Sequence, residues 1–134
     1  MTQSLAQKRA ADALKNIETL KDKGEYGKYV SYVKSLPAEI IMSGLGQAMA
    51  LVRSKKLAGY DPLYQHLNDW LCKGRPYASG DLITNIVSNS EADYIRAQAE
   101  AMAYLEWLKK FAVALLDDDK NSQKEVGDDA TASP

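Results

Sequence analysis

Residues Ser90 to Leu116 read SEADYIRAQAEAMAYLEWLKKFAVALL, and this stretch decides the fold class. Ser90 with Asp93 three positions on is a helix-start signature, a capping hydroxyl followed by an acid. Tyr94, Ala97, Ala101, Tyr104, Leu105, Leu108, Phe111, Ala112 and Leu115 then recur at steps of three and four, which places them on one helical face. A helix of that length spans about 40 Å at 1.5 Å per residue. The spacing predicts a long C-terminal helix with one apolar stripe.

Moving outward, the rest of the body also reads as helix. From Ser4 to Lys23, Ala6, Ala10, Ala13, Leu14, Ile17 and Leu20 share a face, and Gly24 suits the left-handed residue just past a helix end. A shorter segment from Glu25 to Ser35 carries Tyr26, Tyr29, Val30, Val33 and Leu36 along its edge. Pro37 is placed in the first turn of a third helix, where its missing N–H costs nothing. That helix, to about Arg53, is apolar nearly all round and is expected to be central and buried. Gly44 and Gly46 in its middle imply close approach of a neighbouring backbone. Asp61-Pro62 opens a fourth helix with Leu63, Leu67, Trp70 and Leu71, and Asp81 to Val87 is a short fifth. No strand-like alternation exceeds four residues. The expected architecture is all-α, a compact bundle of about six helices without a sheet.

The chain has 134 residues with 17 Lys plus Arg against 18 Asp plus Glu, one cysteine and one histidine. Residues 117–134 hold six of the acids and two lysines, and almost no bulky apolar residue, so this acidic tail is expected to be disordered. Residues 1–116 form the single helical domain and carry 15 bases against 12 acids, a mildly basic body. A structural zinc site needs four Cys or His ligands and is excluded. Cys72 alone cannot form an intramolecular disulfide, which suits a reducing compartment. No apolar run approaches the ~20 residues of a membrane span, and Met1 to Ala11 lack a signal-peptide core. A cytoplasmic protein is expected, with neither a membrane nor a small-molecule substrate as partner.

No catalytic constellation emerges, and no cofactor or metal is expected. His66, three residues before Asp69 and four before Trp70, reads as a partly exposed helix residue making a local pair. Cys72 reads as a small buried thiol. The Gly44-Leu45-Gly46 run follows no strand, so it lacks phosphate-cradling geometry. Binding features are more informative. Bases cluster at Arg53, Lys55 and Lys56, at Lys73 and Arg75, and at Lys109 and Lys110, with Arg96 upstream on the same helix. Such clusters are either a solvated surface or a phosphate-binding one. Arg96, Glu100, Ala103, Trp107 and Lys110 form a second stripe on the long helix, and an indole there either packs on a neighbouring helix or marks a subunit contact. Tyr26, Tyr29 and Tyr32 are either core edge or a base-stacking surface.

Three stretches, Tyr29 to Ala48 (YVSYVKSLPAEIIMSGLGQA), Tyr64 to Leu71 (YQHLNDWL) and Tyr94 to Ala112 (YIRAQAEAMAYLEWLKKFA), together with Gln7-Lys8-Arg9-Ala10, carry a further signal. In this order and spacing they resemble the small helical subunit of the Cmr complex, the type III-B CRISPR RNA-silencing effector. The resemblance runs from Ser4 to Leu116, and its most specific part is the Tyr-x-Arg start followed by Leu-Glu-Trp-Leu-Lys-Lys-Phe. It implies an all-helical, non-catalytic subunit whose copies stack beside the crRNA-bearing backbone and help hold guide and target RNA. Its implied partners are other Cmr subunits, copies of itself, crRNA and target RNA. Arg96, Lys109 and Lys110 come over with the motif as RNA-contact candidates, whereas Arg53, Lys55, Lys56, Lys73 and Arg75 follow from charge clustering alone. Trp107 is assigned to subunit contacts. A helical adaptor that bridges proteins without touching nucleic acid is the alternative.

Overall fold

A computed structural model of the chain describes residues 2–55 and 60–116. Lys56 and the acidic tail from Asp117 onward lie outside the described residues. Five helices are present among those described, with no strand.

The first, α1 (Leu5–Lys23), begins at Ser4, whose hydroxyl accepts the Gln7 N–H at 3.1 Å while the Gln7 side chain accepts the Ser4 N–H at 2.8 Å. This reciprocal cap satisfies two donors that a helix start otherwise leaves open. Gly24 ends α1 at φ 75°, as the sequence predicts.

The second helix, α2 (Tyr29–Ser54), accounts for the difference between about six expected helices and five observed. The chain runs helically through Pro37 rather than starting afresh there. Proline removes one helical hydrogen bond, but Val30, Val33, Leu36 and Ile40 are buried at helical spacing on both sides of it. That continuous buried face holds the helix across the proline. The break falls instead at Gly44, whose φ of 86° and ψ of 158° are non-helical and kink α2 into two limbs.

A kink of this kind opens a new helix start, with N–H groups in need of acceptors. These come from α5 (Glu91–Leu115). The Leu45 N–H donates to Gln98 Oε1 at 2.9 Å, and the Gly46 N–H donates to the Tyr94 hydroxyl at 3.0 Å. The close neighbours of the two glycines are therefore side chains, Tyr94 at both and Ile86 at Gly46, not a backbone. A Cβ on Gly44 would sit 3.0 Å from the Tyr94 oxygen.

The remaining helices are α3 (Tyr60–Leu71) and α4 (Leu82–Ser88), the latter capped by the Asp81 side chain accepting the Thr84 N–H at 3.3 Å. Packing centres on α5, which lies against α1, α2 and α3. Its buried residues Ala97, Ala101, Tyr104, Leu105, Leu108 and Ala112 are those of the predicted stripe. Arg9 meets Glu100, and Asp12 meets Tyr104, so α1 and α5 run parallel. Side chains from all five helices join one core.

α2 is not buried all round. Ile41 and Met42, just before the kink, are 74% and 81% exposed. Among the described residues, α2 alone is by length and composition apolar enough to cross a membrane, contrary to the reading of the sequence. Nine of its side chains nevertheless belong to the bundle's own core, and Gly44 breaks it midway.

Candidate nucleic-acid interface

The seven candidate basic residues within the described chain have different surroundings. Arg53 is engaged internally: its guanidinium donates to Asp81 at 2.8 Å and lies 4.9 Å from the Tyr64 ring centre. Tyr64 donates to the same carboxylate at 2.9 Å. Asp81 is held below the usual carboxylate range: burial works against this, but bonds from Tyr64, Thr84 and Arg53 prevail. Arg53 thus ties the end of α2 to the start of α4. Lys55 and Lys73 are exposed at the ends of α2 and α3. Lys109 and Lys110 share Glu106 at 3.5 and 3.9 Å, within their own helix.

Arg75 and Arg96 are the two that the fold brings together. They line one cavity of about 220 Å³ with Leu5, Pro76 and Glu100. Arg75 reaches it from the loop after α3. That loop is closed by the Gly74 N–H donating to the Tyr77 carbonyl at 2.7 Å and the Tyr77 N–H donating to the Leu71 carbonyl at 3.1 Å. Tyr77 is buried and Gly74 takes φ 95°, so the loop folds back on the end of α3. The guanidinium of Arg75 then lies over Trp70, 4.0 Å from its ring centre. Trp70 in turn stacks on Tyr104, with centroids 4.9 Å apart and planes 5° from parallel. The result is a three-layer stack, Tyr104–Trp70–Arg75, running from the core to the cavity.

Polar contacts fix this stack. The Trp70 Nε1–H donates to Glu100 Oε2 at 2.8 Å, and Arg9 clamps the same carboxylate with two bonds of 2.6 and 2.8 Å. Burial alone would push the Glu100 carboxyl up, but the hydrogen bonds from Arg9 and Trp70 and the charges of Arg9 and Arg75 hold it below its usual range. Glu100 is therefore an anion already bonded to three donors. Tyr104 donates to Asp12, and the Asn16 amide donates to the Tyr104 hydroxyl at 2.8 Å. Arg96 pairs with Asp93 at 2.8 Å, one turn away and largely in solvent, a contact of small net value.

Arg9 and Glu100 were not singled out as an ionic pair by the sequence. They lie 91 residues apart on two helices, and no local pattern links them.

The aromatic candidates, His66 and Cys72 lie in or against the core. Trp107 is partly buried, packed on the core, with Phe111 at 5.7 Å between centroids. Tyr26 and Tyr29 are core, and Tyr32 stacks on Tyr60 at 3.7 Å. His66 is only 9% exposed and hydrogen-bonds Tyr29 at 2.6 Å, so its partner is a distant tyrosine and not Asp69. Burial first, and then the charge of Lys23, lowers its pKa to about 4. Cys72 is a buried thiol whose pKa burial pushes up, the opposite of an activated nucleophile.

Residues 5–115 match the family model described as CRISPR-associated protein (Cas_Cmr5). The structure is similar to the X-ray crystal structure of a CRISPR-associated Cmr5 family protein from Thermus thermophilus. The two share 28% identity at a TM-score of 0.74, over 86% of this chain and 100% of that one. The matched span takes in all five helices and both arginines of the cavity, and the chain belongs to the Cmr5 family of CRISPR-associated proteins.

Proposed function

We propose that this chain is a non-catalytic small subunit of a type III-B Cmr ribonucleoprotein effector. It works in the cytoplasm beside the crRNA-bearing subunits and other copies of itself, and its basic surface helps hold guide and target RNA. Family membership over 5–115 supports the place in the complex. The observation that carries the RNA role is the convergence of Arg75 and Arg96, 21 residues apart, on one cavity whose carboxylate already has its partners. In guided effectors base pairing reads sequence, and protein contacts hold backbone and shape. A mildly basic subunit present in several copies suits that task, since weak contacts sum along an assembly. Lys55, Lys73, Lys109 and Lys110 are exposed or partly exposed bases that extend the surface. Arg53, bonded to Asp81, contributes chiefly to the fold.

A helical adaptor without RNA contact is favoured by one observation. Ile41, Met42 and Ile95 expose large apolar side chains on α2 and α5, the helices that meet at the kink. Purifying the tagged chain from its native cells at moderate salt tests both readings. Larger subunits recovered with short guide RNAs, the RNA lost steeply as salt is raised, are expected. Protein partners without RNA even at low salt would leave the adaptor.

A further inference from the structure

We infer that the cavity between Arg75 and Arg96 is a pocket for one unpaired nucleotide of RNA, its base stacking on Arg75 and its phosphate meeting Arg96. The inference rests on the RNA-holding role proposed above and makes it specific.

Trp70 does not line the cavity, so Arg75 is the layer of the Tyr104–Trp70–Arg75 stack that borders it. The guanidinium carbon lies 4.0 Å from the Trp70 ring centre, and a planar group set against Arg75 from the cavity side would continue the stack. Nucleobases stack on arginine planes as they do on aromatic rings. Among the described residues Arg75 has no carboxylate at ion-pair distance, and Glu100 meets it only as a more distant charge. Leu5 and Pro76 give the cavity apolar walls, which suit the body of a base or ribose better than a bare phosphate. Arg96 supplies a second, mostly exposed cation whose pairing with Asp93 is loose enough to yield to a phosphate. An apolar wall, a cation set over an indole and a second, mostly exposed cation on one cavity of about 220 Å³ are the parts a nucleotide needs. The layers beneath are rigid before any ligand arrives, because Glu100 holds Trp70 and Asp12 and Asn16 hold Tyr104.

The test is an NMR titration of the full chain at low salt with two oligomers of equal charge, tetrauridylate and an abasic tetramer of the same backbone. The indole N–H of Trp70 and the Nε–H of Arg75 report on the pocket. Tetrauridylate is expected to bind at least fivefold more tightly, the lower range for one stacked base, and to shift both signals. Arg75→Lys, which keeps the charge and loses the plane, is expected to abolish that preference. Arg96→Gln, on an exposed helix surface and harmless to folding, is expected to weaken both oligomers about equally and leave the preference. Equal binding of the two oligomers by the unaltered chain, or a preference that leaves the Trp70 and Arg75 signals unmoved, would overturn the pocket while leaving a backbone-binding surface. Binding of neither oligomer would overturn the pocket, whereas the RNA role itself falls only if the native complex yields this chain without RNA.

Discussion

From Tyr94 to Tyr104, α5 is joined to three other helices by named polar contacts, whereas from Leu105 to Leu115 its side chains reach the rest of the molecule through apolar packing. In the first half Tyr94 and Gln98 cap the kinked limb of α2, Glu100 holds Arg9 and Trp70, and Tyr104 meets Asp12 and Asn16. In the second, Leu105, Leu108 and Ala112 are fully buried, and Lys109 and Lys110 turn to Glu106 on their own helix. Apolar burial is non-directional. It fixes that the helices associate, but leaves sliding and rotation weakly specified. Directional bonds set the register, and here they cluster at the end of α5 that borders the cavity.

The largest expected effect comes from the apolar half. Leu108→Ala should cost about 2–5 kcal/mol of unfolding free energy, because it removes a fully buried side chain and leaves a cavity. Urea denaturation reads it directly, and a loss below about 1 kcal/mol would break the division between the halves.

Acid reaches the polar contacts by another route. The core holds His66 neutral against Tyr29 with a pKa of about 4, whereas the unfolded chain takes up that proton near pH 6.5. The unfolded state then binds more protons between those values, so stability falls as pH drops from about 6.5 to 4 and recovers as it rises. The full span amounts to about 3 kcal/mol at 1.36 kcal/mol per unit. Thermal melts across that range should show the decline, and His66→Gln should flatten it.

Gly44→Ala should cost about 1–3 kcal/mol, since alanine is strained at φ 86° and its methyl meets the Tyr94 oxygen. Tyr94→Phe should cost about 1 kcal/mol, one hydrogen bond to the Gly46 N–H. Combining the two should cost less than their sum, because removing the hydroxyl relieves the contact. A double-mutant cycle that proves additive would contradict the coupling drawn between α2 and α5. The smallest effect belongs to Lys109→Gln with Lys110→Gln. Their pairs lie at the surface, and a stability change under about 0.5 kcal/mol is expected by the same denaturation.

The same contrast explains what could be read in the sequence. The stripe of α5, the face of α1 and the caps at Ser90 and Gly24 were legible because each is set by neighbours within a turn or two. The place where α2 breaks was not. Pro37 is the stronger local signal for a boundary, and it was overridden by a buried face that only the folded molecule supplies. Gly44 becomes the break because Tyr94 and Gln98, some fifty residues away, wait to cap the limb beyond it. The site divides in the same way. Arg75 and Arg96 stood out as bases, but so did Arg53, which pairs with Asp81 at the surface. The pairing of Arg9 with Glu100, and the stacking of Trp70 on Tyr104 beneath Arg75, join residues tens of positions apart, and spacing holds no trace of them.

The proposed function holds RNA at the cavity end of α5. Ultraviolet crosslinking of the assembled native complex, with the crosslinked peptides of this chain located by mass spectrometry, tests it most directly. Adducts are expected on the segments around Arg75 and Arg96. Adducts confined to the Lys109–Lys110 end, or none on this chain while other subunits crosslink, would contradict it.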